Sequence, residues 1–324
     1  MSKTVCVVPS IRPESMIKFV DAWTPLFIKH NVLLVTVWDG DNPFIQTLSF
    51  PDRETQTYKD IYRPGGWAFK FTDSVRNLGF FWTAVFHNDV KYVLTLDDDV
   101  TPIEGDDPIQ AHKNVLEKRV SLSWMNTAMW DSVFLRGVPY QTRQDTPVML
   151  SHGVWHGVPD LDGETQLAFE KKGIKYPMNL PFFVGPIPKG AYFPLCGMNV
   201  MVRRDALPYL YYAPMGPCTD IPGLNRFGDI WMGIHLKREF DKRRWACYTG
   251  GAAVMHARAS DAAKNAEAEK LGREWNETYY QINDNTMTSL TASGYYPKLL
   301  EYYKLYKEKR DSYARTISTL LERA

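Results

Sequence analysis

The sequence contains no Cys-x-x-Cys pair. Its four cysteines, Cys6, Cys196, Cys218 and Cys247, lie far apart, which excludes a zinc knuckle or a dense disulfide framework and points to reduced thiols. No Gly-x-Gly-x-x-Gly follows the first apolar segment, and no Gly-x-x-x-x-Gly-Lys-[Ser/Thr] occurs. Without these phosphate cradles, neither a flavin or nicotinamide cofactor nor P-loop chemistry is expected. Long apolar runs are missing too, and Met1-Ser2-Lys3-Thr4 leads straight into a strand-like segment. We therefore expect no signal peptide, no membrane insertion and a soluble, cytoplasmic protein. Charge of one sign is also scarce: 38 basic against 37 acidic side chains leave +1, so bulk nucleic-acid binding is not expected. There is no internal repeat and no low-complexity tract.

What the chain does have is alternation of strands and helices. Thr4-Val5-Cys6-Val7-Val8 is a β-branched run stopped by Pro9-Ser10, and residues 14 to 29 place Ile17, Val20, Trp23 and Phe27 near helical spacing. A second apolar strand, Val32 to Trp38, ends in Asp39-Gly40-Asp41, and a helix around Asp73 to Phe86 leads into the strand Tyr92 to Leu96. This order predicts an α/β fold with a Rossmann-like, mostly parallel sheet whose carboxyl edge gathers the chemistry. We expect a nucleotide-binding half over 1–120, a sugar or acceptor half over 121–260 without a clear linker, and a helical region over 261–324. That last region either packs on the domain or serves as a contact between copies in a homo-oligomer. The aromatic content of 14%, with ten Trp, suits either a plain core or a carbohydrate-lined cleft.

The strand Tyr92 to Leu96 runs directly into Asp97-Asp98-Asp99. Packed carboxylates repel, so a buried strand that ends in three of them calls for a cation. Hard oxygen ligands favour Mg²⁺ or Mn²⁺, and a metal held by Asp97 and Asp99 would suit the diphosphate of a nucleotide. A solvated Asp-rich turn is the competing reading. His256 follows the strand-like Ala252-Ala253-Val254-Met255 and is the candidate third ligand, against a purely structural histidine. At the first strand end, Pro9, Ser10 and Arg12 are placed to meet a nucleotide. Asp39 and Asp41 suit a base or ribose contact, although Asp-Gly is also an ordinary turn. Lys70, Asp73 and Arg76 lie on and before the next helix, where they either meet a diphosphate or form a solvated face.

Longer blocks, in matching order from Val5 to Ser260, carry a more specific signal. They include Val8-Pro9-Ser10-Ile11-Arg12, Trp38-Asp39-Gly40-Asp41, Phe71-Thr72-Asp73-Ser74, Ser151-His152-Gly153-Val154-Trp155 and Pro159-Asp160-Leu161-Asp162 with Thr165-Gln166. Ile187-Pro188-Lys189-Gly190, Phe193-Pro194-Leu195-Cys196-Gly197-Met198-Asn199 and Met255-His256-Ala257-Arg258-Ala259-Ser260 follow. In these blocks the chain resembles the reversibly glycosylated polypeptides of plants, also called UDP-arabinopyranose mutases. The resemblance implies a GT-A-like glycosyltransferase fold, a UDP-sugar substrate, UDP-arabinose first among them, and a divalent metal, Mn²⁺ or Mg²⁺. It implies interconversion of UDP-L-arabinopyranose and UDP-L-arabinofuranose and reversible self-glycosylation at the matching arginine, Arg143. Two stretches depart from the pattern. The family's Ser-Leu-Arg-Glu-Gly reads Gln141-Thr142-Arg143-Gln144-Asp145, and its Arg-Tyr-Asp-Asp-Met-Trp reads Arg226-Phe227-Gly228-Asp229-Ile230-Trp231.

On that reading Asp97, Asp99 and His256 hold the metal, and Asp98 contacts ribose or a nearby cation. Arg143 faces the anomeric carbon, and Asp229 stabilises positive charge on the sugar or shuttles a proton. An electrostatic role for Arg143 is chemically easier than a covalent one, because guanidinium stays protonated. Two alternatives stand beside the mutase. One is a metal-dependent glycosyltransferase with an external acceptor such as a glycan, a small alcohol or a modified nucleobase. The other is a non-catalytic UDP-sugar-binding scaffold.

Overall fold

The computed structural model describes residues 3–40, 43–50, 54–59, 72–128, 133–174, 182–216, 219, 221, 223–257, 261–282 and 297–323. The chain opens with β1 (Lys3–Ser10), α1 (Pro13–His30), β2 (Val32–Trp38), β3 (Phe44–Ser49) and β4 (Thr55–Tyr58). A 3₁₀ turn over Asp73–Val75 leads into α2 (Arg76–Phe86), β5 (Val90–Leu96), β6 (Val100–Pro102), α3 (Pro108–Leu116) and β7 (Arg119–Val120). Then come β8 (Thr146–Gly157), α4 (Gly163–Lys171), β9 (Gly185–Pro186), β10 (Asn199–Arg203), α5 (Gly228–Arg243) and β11 (Ala246–His256). Two helices, α6 (Ala262–Tyr279) and α7 (Pro297–Glu322), follow.

The strands form one sheet in the order β4-β3-β2-β1-β5-β10-β8-β11-β6, with β7 beside β8 and β9 beside β11. β2, β1 and β5 are parallel, as are β8 and β11. β10 runs antiparallel between β5 and β8, and β3, β4 and β6 run antiparallel to their neighbours at the edges. The sheet is thus mixed where its first half reads as parallel, and the whole is an α/β arrangement with helices on both faces of one sheet. The middle of the chain, full of Gly, Pro and aromatic residues, supplies two of the longest strands, β8 and β11.

Side chains alternate across a strand, and the sheet has a core on each face. Val5 and Val7 of β1 and Val35 and Val37 of β2 pack under α2, α5, α6 and α7, whereas Cys6, Val8 and Leu34 pack under α1 and α3. On the α1 face Trp23 and Phe27 are fully buried and stacked with centroids 5.6 Å apart; burying each such ring contributes about 2–3 kcal/mol. Helix α2 lies close to β1 because Gly79 has no side chain: a Cβ there would come 2.5 Å from Val7 Cγ1. The α7 helix packs on the domain through Tyr302, Tyr303, Tyr306 and Tyr313, all buried. Tyr306 stacks on Tyr211 at 14° and 5.8 Å, and Trp231 of α5 stacks on Tyr279 of α6 at 11° and 3.8 Å. Helices α6 and α7 therefore share the α2–α5 core instead of building their own. Among the described residues no helix is long and apolar enough to cross a membrane, and Cys6, Cys196 and Cys247 are buried free thiols.

Candidate active site

The carboxyl ends of β1, β2, β5, β8 and β11 come together at one edge of the sheet. Alternation also splits the aspartate triplet. Asp97 continues the α2 face, where Arg76 Nη2 pairs with its Oδ1. Arg76 is buried and also donates to Thr95 Oγ1 at 2.7 Å and to the Leu96 carbonyl at 3.1 Å. Burial alone would lower its pKa, yet the nearby Asp97, Tyr212 and Asp73 raise it, so the guanidinium stays charged. Asp98 turns to the α1 face and is buried. It accepts from Ser10 Oγ at 2.5 Å and from Arg12 Nε at 3.2 Å, with Arg12 Nη2 closing a fork onto Oδ1. The same Nη2 reaches Asp99 Oδ2 at 3.2 Å.

Asp99 is set against His256 by the backbone. β6 pairs antiparallel with β11, Val100 opposite His256, and Ala257 N donates to the Asp99 carbonyl at 3.1 Å. His256 Nδ1 lies 2.6 Å from the Val158 carbonyl. A carbonyl only accepts, so Nδ1 carries a hydrogen. Nε2 on the other side of the ring faces Asp99 Oδ1 at 3.8 Å. Asp99 Oδ1 is buried with no hydrogen-bond partner. An unpaired carboxylate oxygen facing a ring nitrogen calls for positive charge between them, a proton on Nε2 or a bound cation. The oxygen and imidazole donors fit a hard or borderline divalent ion. Burial and Asp97 push the Asp99 pKa up, against His256 and Arg12. Among the described residues no three His, Cys, Asp or Glu side chains converge as a ready metal cluster, because Asp97 is turned to Arg76.

Three more carboxyls surround the cleft. Asp229, in the first turn of α5, accepts from Gly197 N and Ile230 N, both at 2.9 Å. The protein around it, then Asp73 and Asp160, push its pKa up to about 8 against those two backbone bonds. Asp73 keeps a solvent-exposed side in the recess, but the surrounding protein raises its pKa too, with Arg76 opposing. Asp160, just past β8, accepts from the Cys196 thiol and is likewise raised by burial. Gly228, beside Asp229, packs close to Ala213: a Cβ there would lie 3.0 Å from the Ala213 carbonyl oxygen and 3.8 Å from Asp73 Cβ.

A cavity of about 270 Å³ is lined by Arg12, Asp97, Asp99, Asp160, Arg226 and His256, with Gln166 and Asn265 at its side. Arg226 sits at φ 62°, a left-handed conformation that costs a non-glycine residue about 1–2 kcal/mol, and pairs with Glu269 Oε1 at 3.2 Å. Glu269 Oε2 also accepts from Gly163 N at 2.7 Å. Gly163 lets α4 and α6 touch; a Cβ there would meet Ala266 Cα at 2.6 Å. That close approach brings Asn265 Nδ2 to Gln166 Oε1 at 3.3 Å.

Of the residues singled out from the sequence, Ser10, Arg12, Asp73, Arg76, Asp97, Asp98, Asp99, Asp229 and His256 meet around this cleft. Pro9 lies in β1 opposite Val37. Asp39 joins the same sheet edge, its N–H donating to the Ser10 carbonyl at 2.9 Å and its Oδ1 accepting from Gly40 N at 2.7 Å. Asp98 is spent on Ser10 and Arg12 and so positions Arg12 instead of meeting ribose. Asp41 and Lys70 lie outside the described residues.

Arg143 is not brought to the cleft. It precedes β8, whose far end is Gly157, and Asp145 nearby pairs with Arg244 at 2.6 Å, just ahead of β11. His256 is the last residue of that strand, so about 30 Å of sheet separates Arg143 from it. The Arg143 guanidinium lies over the Tyr140 ring at 3.8 Å and the Phe134 ring at 4.7 Å, and Nη2 donates to the Val138 carbonyl at 3.2 Å. The expectation that it faces the anomeric carbon within one chain is corrected accordingly. Sequence reasoning passed over Asp160, Gln166, Arg226 and Asn265 as site residues. The strand-end rule that selects Asp39 and Asp97 would select Asp160 once β8 is recognised as a strand. Asn265 carries no sequence signal, because only helix packing brings it there.

A model of the family described as reversibly glycosylated polypeptide matches residues 2–320. The chain belongs to this family. UDP-arabinopyranose mutase 3 of Arabidopsis thaliana is 29% identical over 335 residues, covering 97% of this chain and 87% of that protein. UDP-arabinopyranose mutase 1 of the same plant is 30% identical, covering 94% and 85%, and the mutase 1 of Oryza sativa subsp. japonica is 30% identical, covering 84% and 74%. Among solved structures, glucosyl-3-phosphoglycerate synthase from Mycobacterium tuberculosis, in complex with Mn²⁺ and UDP-glucose, is similar over 87% of this chain and 80% of that one, with 14% identity and a TM-score of 0.41.

Proposed function

We propose that the cleft binds a UDP-sugar and interconverts UDP-L-arabinopyranose and UDP-L-arabinofuranose, as the names of the family relatives suggest. The observation that carries this reading is the facing of Asp99 Oδ1 and His256 Nε2 across 3.8 Å beside two arginines. Asp99 and His256, with Asp97 adjacent, would hold Mn²⁺ or Mg²⁺, and the diphosphate would supply further oxygens. When bound, the ion offsets the negative charge that grows on the leaving diphosphate.

This chain's own groups do the rest. Arg12, locked by Asp98, and Arg226, locked by Glu269, offer fixed positive charge to the phosphates. Asp39 at the end of β2 accepts from ribose or base. Ring contraction breaks the bond between the anomeric carbon and the diphosphate oxygen; the 4-hydroxyl oxygen then bonds that carbon as its bond to the old ring oxygen breaks, and the diphosphate oxygen finally re-forms its bond to the same carbon. One proton leaves the 4-hydroxyl and one reaches the former ring oxygen. Asp229, with a pKa of about 8, exchanges a proton in either direction near neutrality. Glycosylation of Arg143, given its position at the opposite edge, requires the cleft of a second copy.

The test is incubation with UDP-arabinopyranose and Mn²⁺, resolving pyranose, furanose and free UDP. Furanose product without an acceptor supports the mutase. UDP released only when an acceptor is added would replace it with a transferase, and neither product would leave a binding protein.

A further inference from the structure

A second cavity, of about 350 Å³, lies at the opposite edge of the sheet from the cleft. It opens where β3 and β4 extend past the end of α2, lined by Thr47, Gln56, Tyr58, Trp82, Phe86 and His87. Three rings make one wall: Tyr58 and Trp82 have centroids 4.3 Å apart, and Trp82 and Phe86 4.0 Å, with interplanar angles of 50° and 39°. Phe86 stays 56% exposed although it is a large apolar ring. Trp82 is 7% exposed, and its indole Nε1 has no hydrogen-bond partner; neither has His87 Nε2, also buried. Both nitrogens are closed off from the cavity, so the ring faces and edges form its contact surface.

We propose that this cavity is a second binding site, for a neutral saccharide unit. The volume falls in the range of small-ligand sites. Tilted, mutually packed rings give a shelf for the C–H face of a sugar, not a slot between parallel planes into which a nucleobase would slide. Beside the rings the lining offers short hydroxyl and amide groups: Thr47, and Gln56, whose Oε1 accepts from the Tyr58 hydroxyl so that its amide hydrogens point elsewhere. A charged ligand is disfavoured. The lining cation, Lys3, is paired with Asp89 at 3.4 Å, and Glu54 on the rim repels anions. Burial and nearby Lys3 lower the His87 pKa, keeping its ring neutral.

The experiment is a titration of the full-length, ¹⁵N-labelled protein with methyl β-D-glucopyranoside and with methyl α-L-arabinofuranoside, followed through the Trp82 indole N–H resonance. Trp82→Phe identifies that signal; if the variant fails to fold, triple-resonance assignment does so. The expected result is a progressive shift with a dissociation constant of about 1–10 mM, weakened at least about fivefold in Gln56→Ala and Thr47→Val, and no shift with UDP. No movement at about 50 mM of either saccharide would overturn the site. So would unaltered affinity in both variants, or a response to adenosine in place of sugar.

Discussion

At the scale of single residues, three adjacent aspartates acquire three different jobs because a strand end alternates. Asp97 neutralises a buried arginine, Asp98 locks another, and Asp99 is left with an unpaired oxygen facing His256. Asp99→Asn should therefore fold normally and lose the Mn²⁺-dependent part of UDP binding by at least about tenfold, about 1.4 kcal/mol. Calorimetric titration with and without metal checks this, and an undiminished metal increment would remove Asp99 from the ligand set. Asp229 makes a prediction with a definite sign. Its folded pKa of about 8 lies above the usual carboxyl value, so the folded chain holds a proton that the unfolded chain releases near pH 4. Its contribution is fully present below that pH and is lost as pH rises through 8. In metal-free buffer, Asp229→Asn should match wild type in Tm near pH 4 and exceed it by about 3 °C at pH 8. A Tm difference that does not grow with pH would contradict the assignment. The strand-end acids were legible from sequence because hydrophobic runs announce the strand; which partner each acid takes was not, because Arg12 and Arg76 arrive from other elements.

At the scale of elements, the helices α1, α6 and α7 and the strands β1 and β2 fall where apolar spacing places them. What spacing does not carry is direction: the β10 segment Asn199–Arg203 reads as one more apolar strand, and only its neighbours make it antiparallel. Nor does spacing show that α4 and α6 meet at Gly163. Gly163→Ala should force those helices apart, cost about 1–3 kcal/mol by overpacking, and displace Gln166 and Asn265 from the cleft. Urea unfolding gives the first quantity and UDP titration the second; a variant as stable as wild type would show that the contact can relax. Tyr306 offers the complementary case in α7. Its ring is fully buried and its hydroxyl donates to the Tyr211 carbonyl at 3.2 Å. Truncation to Ala should cost about 3–5 kcal/mol, measured as a fall in the urea midpoint.

For the whole molecule, the placement of Arg143 and the cleft on opposite edges makes the proposed transfer to Arg143 a meeting of two copies. Mixing Asp99→Ala, which keeps Arg143, with Arg143→Ala, which keeps the cleft, should place a sugar on the Asp99→Ala chain when UDP-arabinose is supplied. Intact mass reads the adduct, and its appearance only when both residues share one chain would reject the transfer between copies. The family resemblance pointed to Arg143, but no sequence pattern says at which edge of a sheet a loop emerges. The pairing of β6 with β11 has a further consequence for how the protein is made. Arg12, Asp98 and Asp99 are all made by the time Pro102 is added, yet the partner strand bearing His256, and then the helix bearing Asn265, are made only much later in the chain. A chain cut short between these elements would therefore carry Arg12, Asp98 and Asp99 without His256 or Asn265, and translation order itself would hold the proposed reaction back until both halves of the cleft exist.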